Sequence, residues 1–277
     1  VISSCSDART FPFSKRLRLF RYFRLFRALF SLNRNINKMG YLVLVRHGQS
    51  RTFEKDSDQL SPLGEEQART LGRFWLRQGE KFDEVYAGAL IRQRRTAELA
   101  GQCLSEAGVS WPELRTFPEF NEYDSHGILN LMVPALAEKD AGFRELADAF
   151  ERNRQAPDRN RYFQKMFEVV TSVWLGGELE LEGVEPWRSF QERVRGAIKR
   201  IIAAEGGGRR VAVFTSGGVI GLAVQNVLNA PNRAALEINW RVRNCSLTEF
   251  TFSRTRLSLD SFNTIPHLED PALRSYR

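Results

Sequence analysis

The first regular feature along the chain is an unbroken apolar run, "YLVLV" at 41–45, that ends in Arg46-His47-Gly48. Apolar residues without polar alternation predict a strand covered on both faces, here Tyr41–Arg46. Ser61 followed by Pro62 reads as an N-cap with proline in the first helical turn, and Gly79 as the stop. Between them Leu63, Ala68, Leu71, Phe74 and Trp75 supply an apolar stripe at helical spacing. "FDEVYAG" predicts a short second strand, Ala89 to about Ala107 a helix, and Leu114–Phe117 a third strand. Residues 128–180 carry no strand signal. There "LMVPALAEKDAGFRELADAFERNRQ" and "DRNRYFQKMFEVVTSVWL" read as two helices with a polar joint near Pro157. A helix from Trp187 to about Ala204, a strand Val211–Phe214, a helix from Gly218 to Asn229 and a closing hairpin over 244–252 and 256–262 complete the pattern. This alternation predicts an α/β fold, a three-layer αβα sandwich with a mainly parallel sheet and a helical cap inserted at about 128–180.

Charge changes the picture only at one end. The chain of 277 residues has a formal charge of +8, but nine of its 41 Lys/Arg and one of its 33 Asp/Glu fall within residues 1–38. The remainder, a domain read over 39–277, holds 32 of each sign and has no excess with which to attract nucleic acid. In the N-terminal extension Arg16, Arg18, Arg21, Arg24 and Arg27 share one half of a helical wheel, with Leu19, Tyr22, Phe23, Phe26, Leu29 and Phe30 on the other. A basic amphipathic helix over 15–30 suits an anionic membrane surface or an import receptor. Met39-Gly40 directly before the first strand favours the plainer reading, a leader outside the functional domain. Cys5, Cys103 and Cys245 are scattered without disulfide or zinc spacing, so a reducing cytoplasm is the expected setting. No apolar run approaches the length of a membrane span.

In open α/β sheets ligands bind at the carboxyl ends of the strands. Strand one ends in Arg46-His47-Gly48, strand two leads through Gly88 to Arg92, and strand three through "FPEFNEYD" to Glu122. The strand at 211–214 ends in Thr215-Ser216-Gly217-Gly218, where a helix begins. Two arginines and a helix N-terminus suit a phosphate, the histidine a nucleophile, and the glutamate a proton donor. Glu119 competes with Glu122 for the last role, and the "NEYD" context favours Glu122. The triple glycine at 206–208 lacks a following Lys-Ser/Thr and is read as a turn. Phe163, Phe167 and Trp174 are read as packing within the cap, and His126 and His267 as structural or exposed.

With these residues in place the chain resembles the histidine phosphatase superfamily, the phosphoglycerate-mutase-like proteins. "LVRHGQS" matches its Arg-His-Gly signature, "VYAGALIRQRRTAEL" its second block at Arg92 and Thr96-Ala97, "FNEYD" its acidic block, and "VAVFTSGGVIG" its final block. The resemblance implies a phosphatase acting on small phosphomonoesters without a metal or other cofactor. His47 would attack phosphorus to give a phosphohistidine, Glu122 would protonate the leaving alkoxide, and Arg46, Gly48, Arg92, Ser216 and Gly217 would bind the phosphate. The chain departs from the pattern at Ser216, where a second histidine is usual, and at Gly88, where serine is common. A serine hydroxyl replaces a charge-assisted bond with a neutral one. That leaves three readings open: a hydrolase with reduced rate, a phosphate-binding regulator with little or no turnover, and a mutase. His126 is the alternative source of a second imidazole.

Overall fold

The computed structural model describes residues 39–51 and 56–276; the amphipathic segment read at 15–30 lies outside them. In chain order the first elements are β1 (Gly40–Arg46), α1 (Pro62–Gln78), β2 (Glu84–Ala87), α2 (Ile91–Glu106) and β3 (Leu114–Thr116). Three helices of the cap follow, α3 (Val133–Lys139), α4 (Ala141–Arg152) and α5 (Arg159–Gly176). Then come α6 (Trp187–Ala203), β4 (Arg210–Thr215), α7 (Gly217–Val227), α8 (Asn232–Asn239), β5 (Leu247–Phe252) and β6 (Leu257–Thr264).

The six strands form one sheet in the order β3-β2-β4-β1-β5-β6. β1, β2, β3 and β4 run parallel, and the β5–β6 hairpin closes the sheet antiparallel beside β1. The apolar runs without alternation are explained by cover on both faces. Leu42, Leu44, Val211 and Val213 pack with Phe190, Val194, Ala197 and Ile201 of α6 and with α7. Val43, Val45, Ala212 and Phe214 pack with Leu71 and Trp75 of α1 and with Ala97, Ala100 and Leu104 of α2. Each such burial contributes about 1.5–3 kcal/mol before entropy is counted. The expected sandwich, with its mainly parallel sheet, is the fold observed.

Register then sets the site. β1 pairs with β4 so that Arg46 lies opposite Thr215, and His47 N donates to Thr215 O at 2.9 Å. The ends of the two central strands therefore open side by side, at the edge where a parallel sheet binds ligands.

The helix signals of α1 act as the sequence predicts. Ser61 Oγ accepts from Gly64 N at 3.1 Å, and Gly79 ends the helix at φ 68°. Two expectations are corrected. The single helix read across 131–155 breaks at Asp140, which adopts φ −129° and ψ 111° and caps α4 by accepting from Gly142 N (2.8 Å) and Phe143 N (3.1 Å). An aspartate inside an apolar periodic run was thus an N-cap, not a solvent-facing helix position. The second correction is α8, whose short apolar stripe, Ala235 and Leu236, was too brief to register as periodicity.

Candidate active site

His47 follows the last residue of β1 and is almost wholly buried. Its Nδ1 lies 2.7 Å from Gly48 O, an acceptor only, so Nδ1 carries the proton and donates. The lone pair is then on Nε2, which accepts from Arg92 Nε at 3.2 Å. Burial, then the charge of Arg92, then that of Arg46 hold the imidazole pKa well below the usual histidine range. The ring is therefore neutral at neutral pH, the form required of a nitrogen nucleophile.

Each arginine is fixed by its own anchor. Arg92 stands in the first turn of α2, whose N-cap, Leu90, has no side chain able to accept a hydrogen bond. Asp58 supplies both needs from the loop before α1: Oδ2 accepts from Ile91 N at 2.9 Å and Oδ1 from Arg92 Nη1 at 2.7 Å. Arg46 Nη1 donates to the carbonyls of Val242 and, at 2.9 Å, Tyr276. Behind the His47 ring, Cys245, a non-glycine residue at φ 57°, donates its N–H to His47 O at 3.1 Å. Backbone strain of this kind persists only where the surroundings over-determine it.

Glu122 sits on the loop after β3. Its Oε2 accepts from Gly218 N at 3.0 Å, in the first turn of α7, and Oε1 from Tyr123 N at 3.2 Å. Arg193 of α6 grips the loop. Nη1 donates to the carbonyls of Glu119 and Asn121, each at 2.8 Å, and Nη2 to that of Glu122 at 3.3 Å. The guanidinium is held in turn by Glu185, with contacts of 2.6 and 2.9 Å, and lies 4.8 Å over the Phe190 ring. The two carboxylates left open by the sequence now separate: Glu119 pairs with Arg200, whereas Glu122 lines the central cavity.

That cavity measures about 620 Å³ and brings together His47, Arg46, Arg92 and Glu122. Its lining includes Arg159, Phe163 and Phe167 of the cap, and His126 just before the cap. The Phe163 and Phe167 rings stack with centroids 5.2 Å apart, so these two serve the cavity as well as the packing. Trp174 does not line the cavity; it packs on Trp187 at 5.1 Å and Phe190 at 6.1 Å and donates Nε1–H to Glu185 O at 2.7 Å.

Gly48, Ser216 and Gly217 are not among the lining residues. Gly48 gives its N–H to Thr96 Oγ1 at 3.1 Å, and a Cβ there would stand 2.4 Å from Gly64 O, so close packing against α1 requires the glycine. Ser216 is fully buried, and its Oγ accepts from Gln93 Nε2 at 2.8 Å. Gly217 begins α7, and the amide engaged by Glu122 is that of its neighbour Gly218. Sequence reasoning missed Asp58, Gln93, Arg193 and Asn244. Asn244 lines the cavity, and its Nδ2 is 3.5 Å from His47 O. Each is an ordinary polar residue distant in sequence from its partner, and no local pattern marked it.

Comparison with known proteins bears on family and fold. The family model described as histidine phosphatase superfamily (branch 1) matches residues 42–265. A 2,3-bisphosphoglycerate-dependent phosphoglycerate mutase of Thermobifida fusca (strain YX) is 41% identical over 91 residues. That alignment covers 30% of this chain and spans only about a third (35%) of the relative's own length. Among solved structures, phosphoglycerate mutase from Bacillus anthracis str. Sterne superimposes with a TM-score of 0.56 at 16% identity, covering 83% of this chain and 96% of that one. A putative α-ribazole-5′-P phosphatase from Escherichia coli superimposes with a TM-score of 0.53 at 20% identity, covering 81% of this chain and 96% of that one. Identities this low establish a shared fold. The match of the family model across most of the domain goes further: the chain belongs to the histidine phosphatase superfamily, branch 1.

Proposed function

We propose that the protein hydrolyses small phosphomonoesters through a phosphohistidine on His47, without a metal. The observation that carries this reading is the neutral imidazole whose Nε2 lone pair is turned to Arg92 at 3.2 Å while Nδ1–H is tied to Gly48 O. A phosphoryl dianion entering the cavity would be drawn to the guanidinium groups of Arg46 and Arg92, which would also neutralise the negative charge of the equatorial oxygens. As the Nε2–P bond forms, the ester P–O bond breaks and the carboxyl proton of Glu122 passes to the leaving oxygen. Water then attacks phosphorus, its proton goes to Glu122, the N–P bond breaks, and inorganic phosphate leaves. The sequence is redox-neutral, and the proton Glu122 gives in the first step returns to it in the second.

Hydrolysis is favoured over mutase chemistry by the cap. Phe163 and Phe167 present apolar surface to the leaving group, and the cavity of about 620 Å³ admits a drug-sized molecule. A second reading, a phosphate-binding protein with little turnover, draws on Ser216: losing one transition-state donor costs about 10²–10³ in rate. One experiment separates them. The full chain is assayed with a panel of alkyl and aryl phosphates, in buffer with and without chelator, beside His47→Ala. Turnover that survives chelator and vanishes in His47→Ala supports hydrolysis. Saturable phosphate binding with no turnover across the panel supports the second reading.

A further inference from the structure

Two positions depart from the superfamily pattern, Gly88 and Ser216, and one side chain touches both. Gln93 is fully buried. Its Nε2 donates to Ser216 Oγ at 2.8 Å and to Phe120 O at 3.1 Å, a carbonyl that also accepts from Thr215 Oγ1 at 2.7 Å. On the other side, a Cβ added to Gly88 would stand 2.0 Å from Gln93 Oε1 and 2.8 Å from its Cδ. Gly88 does not have a positive φ, so its backbone conformation does not demand glycine. The space taken chiefly by the Gln93 carboxamide does, with Asn121 Oδ1 a lesser obstacle at 2.9 Å.

The chemistry of that carboxamide is one-sided. Both N–H groups of Nε2 are used, whereas Oε1 is buried without a hydrogen bond. A buried acceptor left unmade costs stability, and an apolar side chain of similar length would fill the same volume without that cost. The group is retained for its donors. They connect two backbone segments that matter to the reaction: the turn at Ser216, from which the amides of α7 rise, and Phe120, two residues before Glu122.

We propose that Gln93 occupies the place of the superfamily's second imidazole and is the positioning residue of this site. Resting on the phosphoryl-transfer reading above, it holds the Ser216 turn and the Glu122 loop in register. Gly88, Gln93 and Ser216 are then one packing unit, and a histidine at 216 is accommodated only when residue 93 is small.

Two double-mutant cycles test this, and the first needs no activity. Gly88→Ala alone lowers Tm by about 4–8 °C, because the new methyl meets Oε1. In a Gln93→Ala background the same change lowers Tm by less than half as much. The second cycle reads turnover of an aryl phosphate. Gln93→Ala alone lowers kcat about tenfold with KM within about twofold, since the phosphate ligands are untouched while the proton donor and helix turn lose their register. Ser216→His alone leaves kcat at or below wild type, and Gln93→Ala/Ser216→His exceeds Gln93→Ala at least tenfold. Additive Tm changes in the first cycle, or a gain from Ser216→His alone equal to that of the double variant, would overturn the proposal. Coupled Tm changes with no turnover in any variant would overturn the hydrolase reading while leaving Gln93 in its assigned place.

Discussion

Arg92 Nε donates to His47 Nε2 across 3.2 Å, so on the proposed reading the guanidinium that would bind phosphate rests on the lone pair that would attack it. An incoming phosphoryl group must displace that contact. The exchange would be balanced, because the oxygens that take over the guanidinium would be attached to the phosphorus that His47 is proposed to attack. The arginine adds its charge to the effect of burial in keeping the imidazole unprotonated at rest; in the proposed reaction it also stabilises the phosphoryl charge.

Asp58 governs that exchange by fixing the far end of the guanidinium at 2.7 Å. Asp58→Asn keeps the size but weakens the hold. Its expected effect is a fall in kcat of about 10–100-fold, the range for a misplaced catalytic group, with a smaller change in KM. Steady-state kinetics on an aryl phosphate checks this; unchanged kcat would show that Arg92 needs no second anchor.

Arg193 and Glu185 carry the Glu122 loop, and both are largely shielded from solvent. Arg193→Ala removes bonds to three carbonyls and strands the Glu185 carboxylate. The expected loss is about 2–3 kcal/mol of stability, read as a lower urea midpoint, together with reduced kcat. Arg193→Lys keeps the charge but cannot span the three carbonyls, and is expected to recover less than half of the loss.

The site was legible in the sequence where a residue sits next to its element and illegible where it reaches across the fold. His47, Arg92 and Glu122 follow directly from strands one to three, so strand ends located them. Asp58, Arg193 and Gln93 act from 34, 72 and 123 residues away in the chain, and only the packed sheet brings them to their partners. The same limit applies to secondary structure. The covered strands announce themselves by composition, whereas the break at Asp140 depends on a side chain turning back to cap the helix it interrupts.

Acid sensitivity follows from the buried imidazoles. Burial holds the His267 pKa down to about 4, and His47 is shifted the same way. In each case the unfolded chain binds a proton that the folded one refuses, so stability is fully present above about pH 6.5 and is lost as pH falls. For His267 the loss runs between pH 6.5 and about 4 and amounts to about 3 kcal/mol. Urea titrations at pH 5 and 7.5 should show the lower midpoint at pH 5, with the gap reduced in His267→Leu. Equal gaps in the two proteins would remove His267 from the explanation.

Phe163 lines the cavity, stacked on Phe167, where on the proposed reading it would meet the leaving group. Phe163→Ala should raise KM for aryl phosphates about tenfold, the worth of one aromatic contact, and change kcat by less than about threefold. A fall in kcat with KM unchanged would place Phe163 in the chemistry and not in binding.

The most direct test of the account is the identity of the covalent intermediate. The full chain is mixed with an aryl phosphate, quenched in base within a single turnover, digested and sequenced by mass spectrometry. The account predicts one acid-labile, base-stable phosphoryl group on His47 that forms and decays at least as fast as kcat. Turnover with no phosphoryl group on His47 at any time within the cycle would contradict it.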